Sequence, residues 1–144
     1  MTKCEFLTGH QRIKERDLKA IKVLFHQLNK RHDEITARMI KSYATRVRFL
    51  TARNDSEMIV GMGSLVVVPR IPASMGWVSN VVVLDSERGK GIGRGLMNAL
   101  INEAHKLSVC RIDLSSSNDR PEAHGLYESL GFKKRDTTSF RLDL

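Results

Sequence analysis

A chain of 144 residues fits one domain, 1–144, and can bury about two thirds of the surface its unfolded form exposes. With 41% hydrophobic and 28% charged residues it has an ordinary globular makeup, with no apolar run of membrane-spanning length and no signal-peptide core after Met-Thr-Lys-Cys-Glu-Phe-Leu, so no membrane partner is expected. The net charge of +8 suits nucleic acid, an anionic surface or an acidic ligand, while Cys4 and Cys110 make neither a disulfide framework nor a Cys-x-x-Cys metal motif and point to a reducing cytoplasm.

In chain order, residues 3–8 are expected as a first strand. Leu18, Ile21, Leu24, Phe25 and Leu28 recur at helical spacing, so 11–30 is expected as an amphipathic helix. Its charges Arg12, Lys14, Arg16, Lys19, Lys22, Lys30 and Arg31 are mixed with Glu15, Asp17, Asp33 and Glu34, the pattern of a solvated face. A second helix is expected over 34–45, with Ile35, Met39, Ile40 and Tyr43 inward. Val47–Ala52 and Met58–Val68 flank the turn Asn54-Asp55-Ser56 and form a hairpin. Gly61 and Gly63 inside it mark a bulge or close packing. Pro69–Ser74 is a loop, Met75–Leu84 a central strand, 91–107 a helix with Leu96, Leu100 and Ala104 inward, Cys110–Leu114 a strand, 119–130 a helix and Phe140–Leu144 a last strand. Cys110 is expected as a small buried hydrophobe, and Trp77 as core or as a wall near a binding site. Antiparallel strands followed by a β–α–β–α–β tail give a mixed α/β layer fold.

The most informative stretch runs from Val81 to Met97. A β-branched run ends at a polar turn, a glycine-rich basic loop follows, and a helix begins at once. Glycines allow close approach, and the free N–H groups and positive dipole end of a helix start then face an anion. The Walker pattern fails because no Lys-Ser or Lys-Thr follows the last glycine. Gly-x-Gly-x-x-Gly fails because Arg94 or Leu96 stands at its third glycine, although Asp113 lies at a ribose-acid distance. Arg-x-x-Gly-x-Gly, as Arg88, Gly91 and Gly93, does fit. A second segment, 118–132, reads Asn-Asp-Arg-Pro-Glu-Ala-His-Gly-Leu-Tyr-Glu-Ser-Leu-Gly-Phe. Pro121 suits a first helical turn, Asn118 or Asp119 a cap and Gly131 a helix end, while Ala123, Leu126, Tyr127 and Leu130 line one face.

Together these two segments resemble the signatures of the GNAT N-acetyltransferase superfamily, over residues 58–144; residues 1–57 are compatible with it. The resemblance implies a central mixed sheet with splayed central strands and acetyl-CoA as co-substrate. It implies that backbone groups of Val82, Val83 and Leu84 meet the pantetheine arm, with Asn118 touching it. Arg88, Gly89, Lys90, Gly91, Ile92, Gly93 and Arg94 would then hold the pyrophosphate. Tyr127 would be the general acid for the leaving thiolate, with a phenol pKa of about 10 in free form. Many relatives carry a glutamate base where Ser79 stands here, which leaves two substitutes: a water relayed by Ser79, Asn80 or backbone carbonyls, or a substrate amine that arrives partly neutral; His124 and Glu122 lie near the coenzyme helix. Cys110 has no identifiable partner base for an acyl-cysteine role.

The expected activity is transfer of an acetyl group to a primary amine of a small molecule by direct attack on the thioester. A protein N-terminus or lysine is the second choice of acceptor, and the loop 69–74 with residues 11–45 would line the acceptor side. A non-catalytic coenzyme A binder is the alternative that the missing glutamate raises. Nucleic-acid binding rests on charge alone, with aromatic content of 6% and no recognition motif, and is not expected. The resemblance also makes a homodimer an expectation by analogy.

Overall fold

A computed structural model describes residues 1–30 and 34–144; Arg31 and Asp33, placed above on the charged helix face, lie outside them. The elements are β1 (Lys3–Leu7), α1 (Glu15–Asn29), α2 (Ala37–Arg46), β2 (Arg48–Arg53), β3 (Ile59–Val68), β4 (Met75–Val83), α3 (Ile92–Lys106), β5 (Ile112–Leu114) and α4 (Pro121–Ser129). A short 3₁₀ turn, Asp85–Glu87, joins β4 to the glycine loop. The strands form one sheet in the order β1-β2-β3-β4-β5, antiparallel except for the parallel β4–β5 pair.

Both faces of the sheet are covered, which is why β2 and most of β3 are buried at successive positions instead of alternating. Leu50, Leu65 and Val78 face α3, whose Leu96, Met97, Leu100 and Ala104 complete that core; Leu126, Tyr127 and Leu130 of α4 pack beside it. Phe49, Ile59, Met62 and Val82 point to the other side, against Ile21 and Leu24 of α1 and Ile40 of α2. The α3 packing is close because β3 carries glycine where the helix crosses. A Cβ on Gly61 would stand 3.0 Å from Leu96 Cδ1, and one on Gly63 would stand 3.1 Å from Leu100 Cδ1.

A buried ion-pair node ties α1 to the sheet. The Arg53 guanidinium donates to both carboxylate oxygens of Asp17 at 2.9 Å, to Glu5 at 2.8 Å and to the Glu57 carbonyl at 2.9 Å. Asp17 and Glu5 are both held below the usual carboxylate range, chiefly by those hydrogen bonds from Arg53. The turn before β3 is set by Asn54, whose side-chain oxygen accepts from the N–H groups of Ser56 and Met58.

Several expectations are corrected. Helix α1 begins at Glu15, four residues late, because Lys14 provides no side-chain cap and the segment before it is irregular. Thr36 caps α2 by accepting from Met39 N–H, and this turns Met39 outward, 52% exposed, while Ile40 is buried. Neither Asn118 nor Asp119 caps α4; Arg120 occupies that place without a side-chain bond, although Pro121 does open the helix and Gly131 follows it at φ 93°. Strand β5 starts at Ile112, leaving Cys110 exposed. Trp77 is 37% exposed. Residues 140–144 form no strand: their alternation favours one, but no neighbouring strand pairs with them, and a strand needs a partner for its backbone groups.

Candidate active site

The site grows from β4. From Met75 to Val78 this strand has neighbours on both sides, pairing antiparallel with β3 and, through Gly76, Trp77 and Val78, parallel with β5. Pairing with β5 stops there. From Ser79 to Val83 only β3 remains, so the opposite edge of β4 opens into a gap between the two parallel strands. At the same place β4 bulges. Asn80 and Val81 together oppose Gly63, and Asn80 sits at φ 56°, a left-handed conformation uncommon for a side-chain-bearing residue. The absence of a side chain on Gly63 leaves room, since a Cβ there would lie 3.4 Å from Val81 Cγ2.

Three long-range contacts line this opening, and none was expected from sequence. The Asn80 side-chain amide donates to the Tyr43 hydroxyl of α2 at 3.1 Å. Gln27 of α1 donates its amide to the Val83 carbonyl at 2.7 Å and accepts from Asp85 N–H at 3.2 Å, so its carboxamide binds the β4 edge as a peptide group would. Arg120 at the start of α4 donates to the Leu28 carbonyl at 2.8 Å and links the ends of two helices across the gap. The fully buried Ser64 lies opposite Ser79 in the ladder, and its hydroxyl has no hydrogen-bond partner among the described residues. Of the expected pantetheine-binding groups, the Leu84 N–H is already bonded to the Val60 carbonyl, and the Val83 carbonyl to Gln27. Val82 is buried, while Val83 and Leu84 are half-buried.

The glycine loop meets the N-terminus of α3 as the sequence requires. Gly91 is the N-cap at φ 79°, and Gly89 precedes it at φ 77°. A Cβ on either would meet nothing within 4 Å, so backbone conformation, not crowding, demands glycine there. Gly93 has no such need: its φ is ordinary, and a Cβ would sit 3.4 Å from Leu126. Ile92 turns into the core. Arg88 pairs with Asp85 at 2.8 Å, Lys90 with Glu87 at 2.9 Å, and Arg94 donates to the Ser129 hydroxyl at 2.7 Å. These are exposed side chains around the N–H groups at the start of α3. Beyond Val78 the β4 edge thus has no second strand, and the glycine loop ends it with helix-start N–H groups beside cations.

Tyr127 lies on the inner face of α4, half-buried, its ring edge-on to Phe132 at 6.0 Å. Burial pushes its phenol above the ordinary value, an effect that Arg120 partly opposes. The group therefore stays protonated at neutral pH. Asn118 is exposed in the turn before α4. Half-buried His124 points a ring nitrogen at the Ser117 carbonyl, 3.0 Å away, and Glu122 is exposed in the first turn of α4. On the α2 side a surface hollow of about 390 Å³ is lined by Arg38, Met39, Ser42, Tyr43 and Arg46. No group of three or more His, Cys, Asp or Glu residues that could hold a metal occurs among the described residues, and no described helix is long and apolar enough to cross a membrane.

The model of the acetyltransferase (GNAT) family matches residues 16–132. Among characterised proteins, human N-acetyltransferase 8B is 28% identical over 95 residues, covering 65% of this chain and 42% of its own length, so the match spans less than half of that relative. An acetyltransferase structure from Trypanosoma brucei superposes with a TM-score of 0.78 at 24% identity, covering 100% of both chains. The structure of AAC(6')-Iy in complex with the bisubstrate analogue CoA-S-monomethyl-acetylneamine superposes at 0.79 and 14% identity, covering 100% of this chain and 99% of that one. The chain belongs to the acetyltransferase (GNAT) family.

Proposed function

We propose that the chain is a single catalytic domain that acetylates the primary amine of a small molecule carrying a negative group. The observation that carries the donor half is the parting of β4 from β5 after Val78, directly upstream of the glycine-started α3. The pantetheine arm lies along Val82–Leu84 with Asn118 at its side, and the pyrophosphate on Arg88–Arg94. Gln27 yields the Val83 carbonyl to an amide of the arm. Tyr127 gives its proton to the departing thiolate, and its raised pKa keeps that proton available.

The amine approaches on the α2 side, where the Asn80–Tyr43 hydrogen bond fixes the bulge beside the hollow. With Ser79 in place of a carboxylate, deprotonation runs through water held by Ser79, Asn80 and the unpartnered Ser64 hydroxyl. Helix α2 carries Arg38, Lys41 and Arg46 and no acidic residue, so a carboxylate or phosphate on the acceptor suits it better than a second amine. The two free cysteines fit a reducing compartment such as the cytoplasm.

Thermal unfolding with acetyl-CoA, with NAD as control, tests the donor half: a ligand at 100 times its Kd should add about 2.7 kcal/mol. Thiol release across amines grouped by charge then tests the acceptor. Turnover confined to amines with an anionic group is expected. Equal turnover of polyamines removes the acceptor class, and a thermal shift without turnover on any amine leaves a coenzyme A binder.

A further inference from the structure

As the proposed acid, Tyr127 meets two conflicting demands. It must keep its proton until the carbon–sulfur bond breaks, and then release it to the departing thiolate. A free phenol has a pKa of about 10 and a free thiol one of about 8.5, so proton transfer from phenol to thiolate runs uphill. Burial steepens the climb, because it raises the Tyr127 phenol further. The influence that works against burial at this phenol is the positive charge of Arg120.

Geometry explains how an exposed arginine comes to serve a half-buried tyrosine. Arg120 is the N-cap of α4, and Tyr127 follows about two turns later on the same face. Helical side chains lean toward the N-terminus, so the phenol leans toward Arg120. The guanidinium is tied across the gap by its bond to the Leu28 carbonyl at 2.8 Å, which fixes it without cancelling its charge. The neighbouring charges are engaged elsewhere or turned outward. Asp113 of β5 pairs with Arg111 and Arg135, Arg94 of α3 bonds Ser129, and Asp119 bonds Ser117. Glu122 and Glu128 of α4 are exposed. We propose that Arg120 acts through Tyr127, its anchored charge stabilising the phenolate that forms as the proton leaves. The inference rests on Tyr127 being the acid. As the amine displaces coenzyme A, the carbon–sulfur electron pair goes to sulfur and sulfur takes the phenol proton. The phenolate then faces Arg120 until a proton from water restores it.

The test begins with the phenol itself. The chain has two tyrosines, so Tyr43→Phe leaves Tyr127 as the sole phenol, and its ionisation can be followed by ultraviolet absorbance. Adding Arg120→Gln should move that titration upward, and Arg120→Lys in its place should leave it near its starting point. In the otherwise unchanged chain, Arg120→Gln should lower kcat about fivefold, and Arg120→Lys should keep most of it. The Kd for acetyl-CoA and the thermal unfolding should stay unchanged, because Arg120 is exposed. In a Tyr127→Phe background, Arg120→Gln should cost nothing further. An unmoved titration, or an equal loss of kcat in the Tyr127→Phe background, overturns the proposal and leaves Tyr127 as the acid. A weakened Kd at full kcat does the same, and makes Arg120 a donor-binding group. Turnover undiminished by Tyr127→Phe alone removes the acid and the proposal together.

Discussion

The two halves of β4 differ in pairing and in the work they do. Met75–Val78 is locked between β3 and β5, and Gly76 lets Leu65 approach until a Cβ would stand 2.9 Å from its Cδ1. Ser79–Val83 keeps one neighbour, bulges at Asn80 and leaves an edge to side chains from α1 and α2. The first half, Trp77 apart, is core. The second is a strand with one neighbour left out, and it is the edge on which the proposed ligand lies. One strand can serve both ends because the bulge separates them, changing twist and register within a single residue.

Substitutions should respect that boundary. The largest effect is expected at Leu65→Ala, which empties the core beside the paired half and costs about 3 kcal/mol in denaturant unfolding. Acetyl-CoA affinity of the folded fraction should be unchanged; a parallel loss of affinity would mean the halves are one unit. Next, Gly91→Val forces a β-branched residue to φ 79°, at a cost of about 1–2 kcal/mol. Calorimetric titration should show acetyl-CoA binding weakened roughly tenfold, because the strain falls on the proposed pyrophosphate loop.

Tyr127→Phe should lower kcat about tenfold, near 1.4 kcal/mol, with the Kd for acetyl-CoA unchanged. Unchanged turnover would remove the acid role. Since burial raises the phenol pKa, the proton is present through neutral pH and is lost only as pH climbs past the ordinary phenol range. The kcat profile should therefore be free of an alkaline limb below about pH 10, and Tyr127→Phe should remove the limb above it. The smallest effect is assigned to Gln27→Ala, a change of about threefold in acetyl-CoA Kd by titration, because one neutral hydrogen-bond partner is exchanged for another. A tenfold effect would make Gln27 a principal ligand of the arm.

The motifs from Val81 to Gly131 were legible because their signals are local. A strand, a glycine turn, a helix and a Pro-to-Gly helix follow in order, and each boundary is marked by a neighbour in sequence. The contacts that shape the opening are not local. Tyr43 meets Asn80 across 37 positions and Gln27 meets Val83 across 56, and no periodicity announces either. The β4 bulge left only a half signal, in Gly63 on the facing strand. Phe140–Leu144 was misread for a related reason: alternation reports a preference for strand, but pairing is decided by what lies alongside. Cys110 was placed in the core by residue type, while the shortness of β5 puts it outside.

The glycine faces of β3 have a consequence for how this site can change. Helix α3 is seated by Leu96 and Leu100 over Gly61 and Gly63, one and two turns beyond the loop that its N-terminus presents. Its direction is therefore fixed by the sheet, and the exposed cations at 88, 90 and 94 stand around an already aimed axis. Drift or redesign at those three exposed positions would therefore leave the pointing of the helix unchanged, since it is set by buried packing on β3.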